Sequence, residues 1–176
     1  REFRHDPLSL DELSWLLWST QGLKGTVGIS TLRTVPSAGA RHPFETYLFV
    51  FAVTGMSPGL YRYLPMDHAL CREPGQPALA GRLGQACLGQ SFVGEGAVTF
   101  AWTAIPYRTE WRYGLAAARV ILMDVGHVCQ NLYLACEAIS CGTCAIGAYN
   151  QEAVDALLQV DGVEEFAIYL APVGRV

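Results

Sequence analysis

Charge is the scarcest commodity in this 176-residue sequence: only 16% of its residues are Asp, Glu, Lys or Arg. The 12 basic residues are scattered without a run, and the net charge is -4, which excludes counterion-driven nucleic-acid binding. Long hydrophobic runs are also missing. Asp124, His127 and Asn131 interrupt the most apolar stretch before it reaches the roughly 18 residues a membrane span requires. Glycine is present without the patterns that cradle phosphates. Gly94-Glu95-Gly96 lacks a third glycine at Rossmann spacing, and Gly89 to Gly94 is not followed by Lys-Ser or Lys-Thr. Six cysteines (71, 87, 129, 136, 141 and 144) are too few for a disulfide-stapled secreted scaffold of this length. Reduced thiols in a cytoplasm are expected.

Apolar residues make up 51% of the chain, and mean hydropathy is +0.23, more than one small core absorbs. A surface that faces a partner subunit is expected, on a single domain over residues 1–176. The sequence opens at Arg1 rather than Met, so a fragment is expected, with a removed signal peptide as the alternative.

Ser9-Leu10-Asp11-Glu12 has capping-box spacing, and Leu13, Leu16 and Leu17 follow at helical intervals, so a helix is expected over 10–19. Residues 22–43, rich in Gly, Pro, Ser and Thr, read as a long functional loop. Strands are expected at 46–53, 60–63, 98–105 and 166–173, with helices at 77–87 and 152–158, the latter capped by Asn150. A central helix should run over 115–140, apolar on nearly every side. Strands and helices mix without strict alternation, which favours an α+β fold.

Two clusters invite other chemistry. Cys141-Gly142-Thr143-Cys144 is a CxxC, but it follows a helix rather than opening one, so no helix dipole lowers its thiol pKa values. Buried inert cysteines are the better reading, against a dithiol or metal site. Asp124, His127 and Asn131 recur at i, i+3 and i+7, as metal ligands or, more often, as a satisfied hydrogen-bond network at a helix interface.

The remaining motifs fall in a telling order: Arg1-Glu2-Phe3, Pro36-Ser37-Ala38-Gly39-Ala40-Arg41-His42-Pro43, Arg112-Tyr113-Gly114, Asp124 to Asn131, Cys144 to Tyr149, and Val173-Gly174-Arg175. Together they resemble the nitroreductase superfamily across nearly the whole chain, closest to its SagB-type, azoline-oxidising branch. The resemblance implies a mixed sheet flanked by helices, an intertwined homodimer built around the central helix, and FMN at the subunit interface. Arg1 and Arg175 would clamp the flavin phosphate, as permanently charged bidentate donors suit it. Pro36, Ser37, Ala38 and Gly39 would come from the second subunit and pack along the ring. Ala145, Ile146, Gly147 and Ala148 would lie against its N5 side, with a backbone N–H toward N5. The implied activity is ping-pong redox chemistry, NAD(P)H reducing the flavin and a small organic acceptor reoxidising it. The alternatives are dehydrogenation of peptide azolines and flavin binding without external turnover. Tyr113 and Arg112 would be catalytic. Arg112 stands where the azoline-oxidising branch usually has lysine, and a guanidinium stays protonated, so it cannot act as a general base. No metal is implied.

Overall fold

The structure, a computed structural model, describes residues 2–176; Arg1 and its predicted phosphate contact lie outside the described residues. Helix α1 (Leu10–Gln21) begins where the capping box predicts: Glu12 N–H donates to Ser9 Oγ at 3.2 Å, and Ser9 N–H to Glu12 Oε2 at 2.8 Å. Each satisfied end donor of this kind contributes about 1 kcal/mol. The expected long loop over 22–43 is instead organised by a hairpin, β1 (Leu23–Val27) with β2 (Ser30–Arg33). Only the stretch from Thr34 onward remains irregular, tightened by a 3-10 turn at Ala38–Ala40.

Six further strands form one sheet: β3 (Phe44–Val50), β4 (Gly59–Leu64), β5 (Ala69–Arg72), β6 (Val98–Ala104), β7 (Cys141–Thr143) and β8 (Phe166–Arg175), in the order β5-β4-β3-β6-β8-β7. Every pair of these strands is antiparallel. The mixed character the sequence suggested is confined to a parallel bridge, Leu8 to Val53, where the segment before α1 meets the chain just beyond β3. The class is α+β.

All seven residues of β3 and all seven of β6 are buried, because helices cover both sheet faces. Side-chain alternation divides them. Leu48 and Val50 join Phe100 and Trp102 on one face, under α1 and the long helix α4 (Ala117–Glu137). Tyr47 and Phe49 join Ala101 on the other, under α2 (Leu79–Ala86) and α5 (Gln151–Leu158). Asn150 caps α5 as expected, its Oδ1 accepting from Ala153 N–H at 2.9 Å. The central helix is shorter than the predicted 115–140. Leu115 lies in the 3-10 turn Gly114–Ala116, and the chain leaves the helix after Glu137 for β7. A short helix the sequence did not announce, α3 (Tyr107–Tyr113), runs into that turn. Among the described residues no helix is long and apolar enough to cross a membrane.

α4 buries Ile121, Val125, Val128 and Leu132 against the sheet but leaves Leu122, Met123 and Leu134 exposed. Trp15 and Trp18 of α1, stacked at 6.1 Å, are also exposed, and they line a shallow cavity of about 320 Å³ with Asn131 and Leu134. Side chains of this size, each worth about 2 kcal/mol on burial, leave α1 and α4 with apolar surface exposed on a single chain.

Candidate active site

The first predicted segment, Pro36 to Gly39, is fixed from below by α4. Asp124, 5% exposed, accepts from Ser37 Oγ–H at 2.6 Å and from Ala38 N–H at 3.1 Å. Ser37 Oγ in turn accepts from His42 N–H at 2.9 Å. The Ser37 proton is thus committed inside the chain, and a lone pair is what the hydroxyl has left for a ligand. The sequence pointed to Asp124, but as a candidate metal ligand or member of a helix network; its partner is a loop 87 positions away. Its expected companions separate. Asn131 donates to Ser19 O on α1 at 2.9 Å, and His127 lies exposed.

Gly39 has φ +59°, a conformation that costs a side-chain-bearing residue about 1 kcal/mol or more. A Cβ there would also sit 2.9 Å from Arg112 Nε and 2.9 Å from Tyr113 Oη. α3 therefore delivers Arg112 and Tyr113 directly onto the Pro36–Gly39 loop, so two predicted groups meet within one chain. Arg41, just beyond, lays its guanidinium 4.7 Å from the Trp111 ring centre.

His42 closes this loop in a buried left-handed turn (φ 45°), its ring Nε2 3.2 Å from Thr31 O. Burial, then the charge of Arg33, pushes its pKa down to about 4. The unfolded chain, with an ordinary value of 6.5, therefore takes up this proton before the folded chain does. The stability due to neutral His42 is complete above about pH 6.5 and is lost as pH falls toward about 4, a loss on the order of 2 kcal/mol. Urea denaturation at about pH 7 and about pH 5 should show the decline, and His42→Gln should flatten it. Equal slopes for the two proteins would remove His42 as the cause.

The second predicted segment follows β7. Ala145 N–H donates to Tyr133 Oη at 2.9 Å, and Ile146 exchanges backbone bonds with Leu170 at 2.7 and 3.2 Å. Gly147 and Ala148 are exposed, and their N–H groups make no hydrogen bond among the described residues. Gly147 has no conformational reason to be glycine, and a Cβ on it would meet nothing nearer than Tyr169 Cε2 at 4.0 Å. Beside this segment a cleft of about 560 Å³ opens between α3, α4 and β8, with Tyr149, Phe166 and Ile168 among its walls.

Arg175 lies apart from both. One Nη donates to Glu12 at 2.6 Å and the other to Ile139 O at 2.9 Å, so its charge is already paired. Burial raises the Glu12 pKa, but the Ser9 backbone hydrogen bond and Arg175 outweigh it and hold the carboxyl below its ordinary value. The CxxC cysteines are not a helix-borne pair. Cys141 is buried on β7, opposite Arg175 in register, and Cys144 lies beyond the strand end. Burial pushes the Cys87 and Cys129 thiols up to about 11, which suppresses thiolate formation.

The nitroreductase family model matches residues 1–175, and the Methanocaldococcus jannaschii protein named "Putative nitroreductase MJ1384" is 35% identical over 99% of this chain and 85% of its own. The chain belongs to the nitroreductase family. It is a flavin-dependent oxidoreductase by that membership, and its fold is the nitroreductase fold. The crystal structure of a putative nitroreductase from Anabaena variabilis superposes with a TM-score of 0.85 at 32% identity. That match covers 93% of this chain and 34% of the Anabaena chain, so this domain spans about a third of that relative. The Escherichia coli microcin synthetase McbBCD complex, solved with truncated pro-MccB17 bound, gives a TM-score of 0.84 at 21% identity, covering 99% of this chain and 66% of that one. The NADPH:FMN oxidoreductase of Vibrio harveyi, solved with NAD+, gives 0.68 at 15%, covering 99% and 63%; these two likenesses are of fold alone.

Proposed function

We propose that this family member binds FMN between two copies of itself and carries out NAD(P)H-linked reduction of a small organic acceptor. One observation supports the shared site above others. Asp124, which holds the Pro36–Gly39 loop, and Tyr133, which holds Ala145, lie nine positions apart on helix α4. Nine positions amount to about 13 Å of rise and two and a half turns, so the two segments leave opposite sides of one helix. A flat ring touching both is served by one segment from each of two chains, and the exposed face of α1 and α4 supplies the apolar surface for that pairing.

The residues suit a flavin. The unpaired Gly147 and Ala148 N–H groups, with no side chain at Gly147, leave room and donors for a planar heterocycle. FMN bound there would supply two-electron redox chemistry. Tyr113, packed at Gly39, holds a phenolic proton at the site's rim and is the residue proposed to deliver it to the acceptor. Arg112 beside it is proposed to orient electron-rich groups through its guanidinium donors, not to act as a base. Arg175 is proposed to act on the phosphate side through Glu12, as a member of an ion pair rather than a free clamp. With arginine at 112, azoline dehydrogenation would lack a base at that position.

An absorbance spectrum of the purified protein, before and after FMN is added, tests the reading. Flavin bound in equal number to chains, bleached by NADH or NADPH and restored by a quinone or nitroaromatic, is the expected result. A colourless protein that leaves added FMN free would overturn it, and bleaching only with a thiazoline peptide would replace the acceptor class.

A further inference from the structure

We infer that a cavity between β2, the Ala40–His42 turn, β4 and the start of α3 is a binding site for the oxyanion group of a small molecule, a phosphate or a dicarboxylate. The cavity holds about 480 Å³ and adjoins the Pro36–Gly39 loop through Ala40. Four arginines line it (Arg33, Arg41, Arg62 and Arg108) against two carboxylates (Glu45 and Asp67), so its walls carry two net positive charges in a protein whose total is -4.

The arginines fall into two kinds. Glu45, 8% exposed, is saturated by Arg62, at 3.0 and 3.2 Å to one oxygen, and by Arg108 at 2.5 Å to the other. Those three form a fixed base. Arg33 and Arg41 have no carboxylate within 4.0 Å among the described residues. Arg33 donates to the neutral Gln21 Oε1 at 2.7 Å, and Arg41 to Gly39 O at 2.7 Å while stacked over Trp111. Each guanidinium is therefore oriented by neutral partners and left with spare donors. Burial lowers the Arg33 pKa, as expected of a cation short of a counter-charge. His42, neutral at pH 7, adds no charge of its own, and the Ser30 and Thr31 segment borders the same space. Two guanidinium forks lining one cavity with unused N–H groups match an oxyanion, which accepts charge-assisted hydrogen bonds from both.

The test uses FMN-saturated protein, so that any phosphate site belonging to the flavin is filled. Isothermal titration with inorganic pyrophosphate, and separately with succinate, should give saturable binding of at least one of them, and the one that binds names the source. Arg41→Gln should weaken that binding about tenfold, the effect of one charge-assisted contact. Arg33→Gln disturbs Gln21 as well, so Met66→Glu is the second variant. Met66 is 59% exposed at the cavity, and a carboxylate there should repel the anion without removing any hydrogen bond. Absence of binding by both anions overturns the inference, as does binding of equal strength in wild type, Arg41→Gln and Met66→Glu. None of these readouts depends on turnover.

Discussion

Asp124→Ala should weaken FMN binding by about one to two orders of magnitude, while the chain still folds. The carboxylate holds two donors of the Pro36–Gly39 loop, Ser37 Oγ–H and Ala38 N–H. Its removal leaves both part-buried and unpaired, and each such loss costs about 1–3 kcal/mol. The loop need not unfold to answer this. It can swing outward to water, away from the position it offers a partner subunit, so a good part of the cost is read as lost ligand affinity. Fluorescence titration of FMN measures it directly. Asp124→Asn keeps the volume and an acceptor for Ser37, so it should recover part of the affinity. If Asp124→Ala bound FMN as the wild type does, the loop would have no part in the flavin site.

Gly147→Val should abolish flavin binding and leave the flavin-free protein as stable as before. A Cβ at this position finds open space, so the fold has no objection to it. A ring seated against the Gly147 N–H would collide with the two methyl groups, and a displacement of even 1 Å takes the donor out of hydrogen-bond range. Thermal melts without flavin and an FMN titration separate the two effects. A variant that lost stability in the absence of flavin would mean the glycine serves the fold; one that bound flavin normally would move the ring elsewhere. Asp124 and Gly147 thus probe the two halves of the proposed site by different physics, one by support from behind and one by room in front.

What the sequence disclosed follows from which interactions are local. The capping box that starts α1 spans three positions and is visible in the string Ser9 to Glu12. The buried strands β3 and β6 are visible because burial on both faces forces runs rich in β-branched, aromatic and other apolar residues. α3 was not visible: of its seven residues only Thr109 is buried, so it carries no apolar period. β7 was hidden for a related reason, since three residues rich in Gly and Thr owe their strand geometry to pairing with β8. The two segments proposed for the site were recognisable as motifs, and a Cβ on Gly39 would lie 2.9 Å from Tyr113 Oη. The supports were not recognisable. Asp124 reaches a loop 87 residues earlier, and Arg175 reaches Glu12 across 163 positions. A polar residue on an apolar helix announces that it needs a partner without saying which.

Strand β8 has a bearing on how the molecule is made. Its residues follow every other element in sequence, yet it lies inside the sheet between β6 and β7, and it also bonds to Ile146 and to Arg4 near the other end of the chain. During synthesis, β6 stands with an open edge until residues 166–175 have left the ribosome. The early segments can form α1 and pair β3 with β4 and β6, but the far edge of β6 has no strand to close against before β8. Completion is therefore deferred and then abrupt, with pairings of high sequence separation made together, and a chain stalled shortly before Phe166 would expose one of its most adhesive edges to its neighbours.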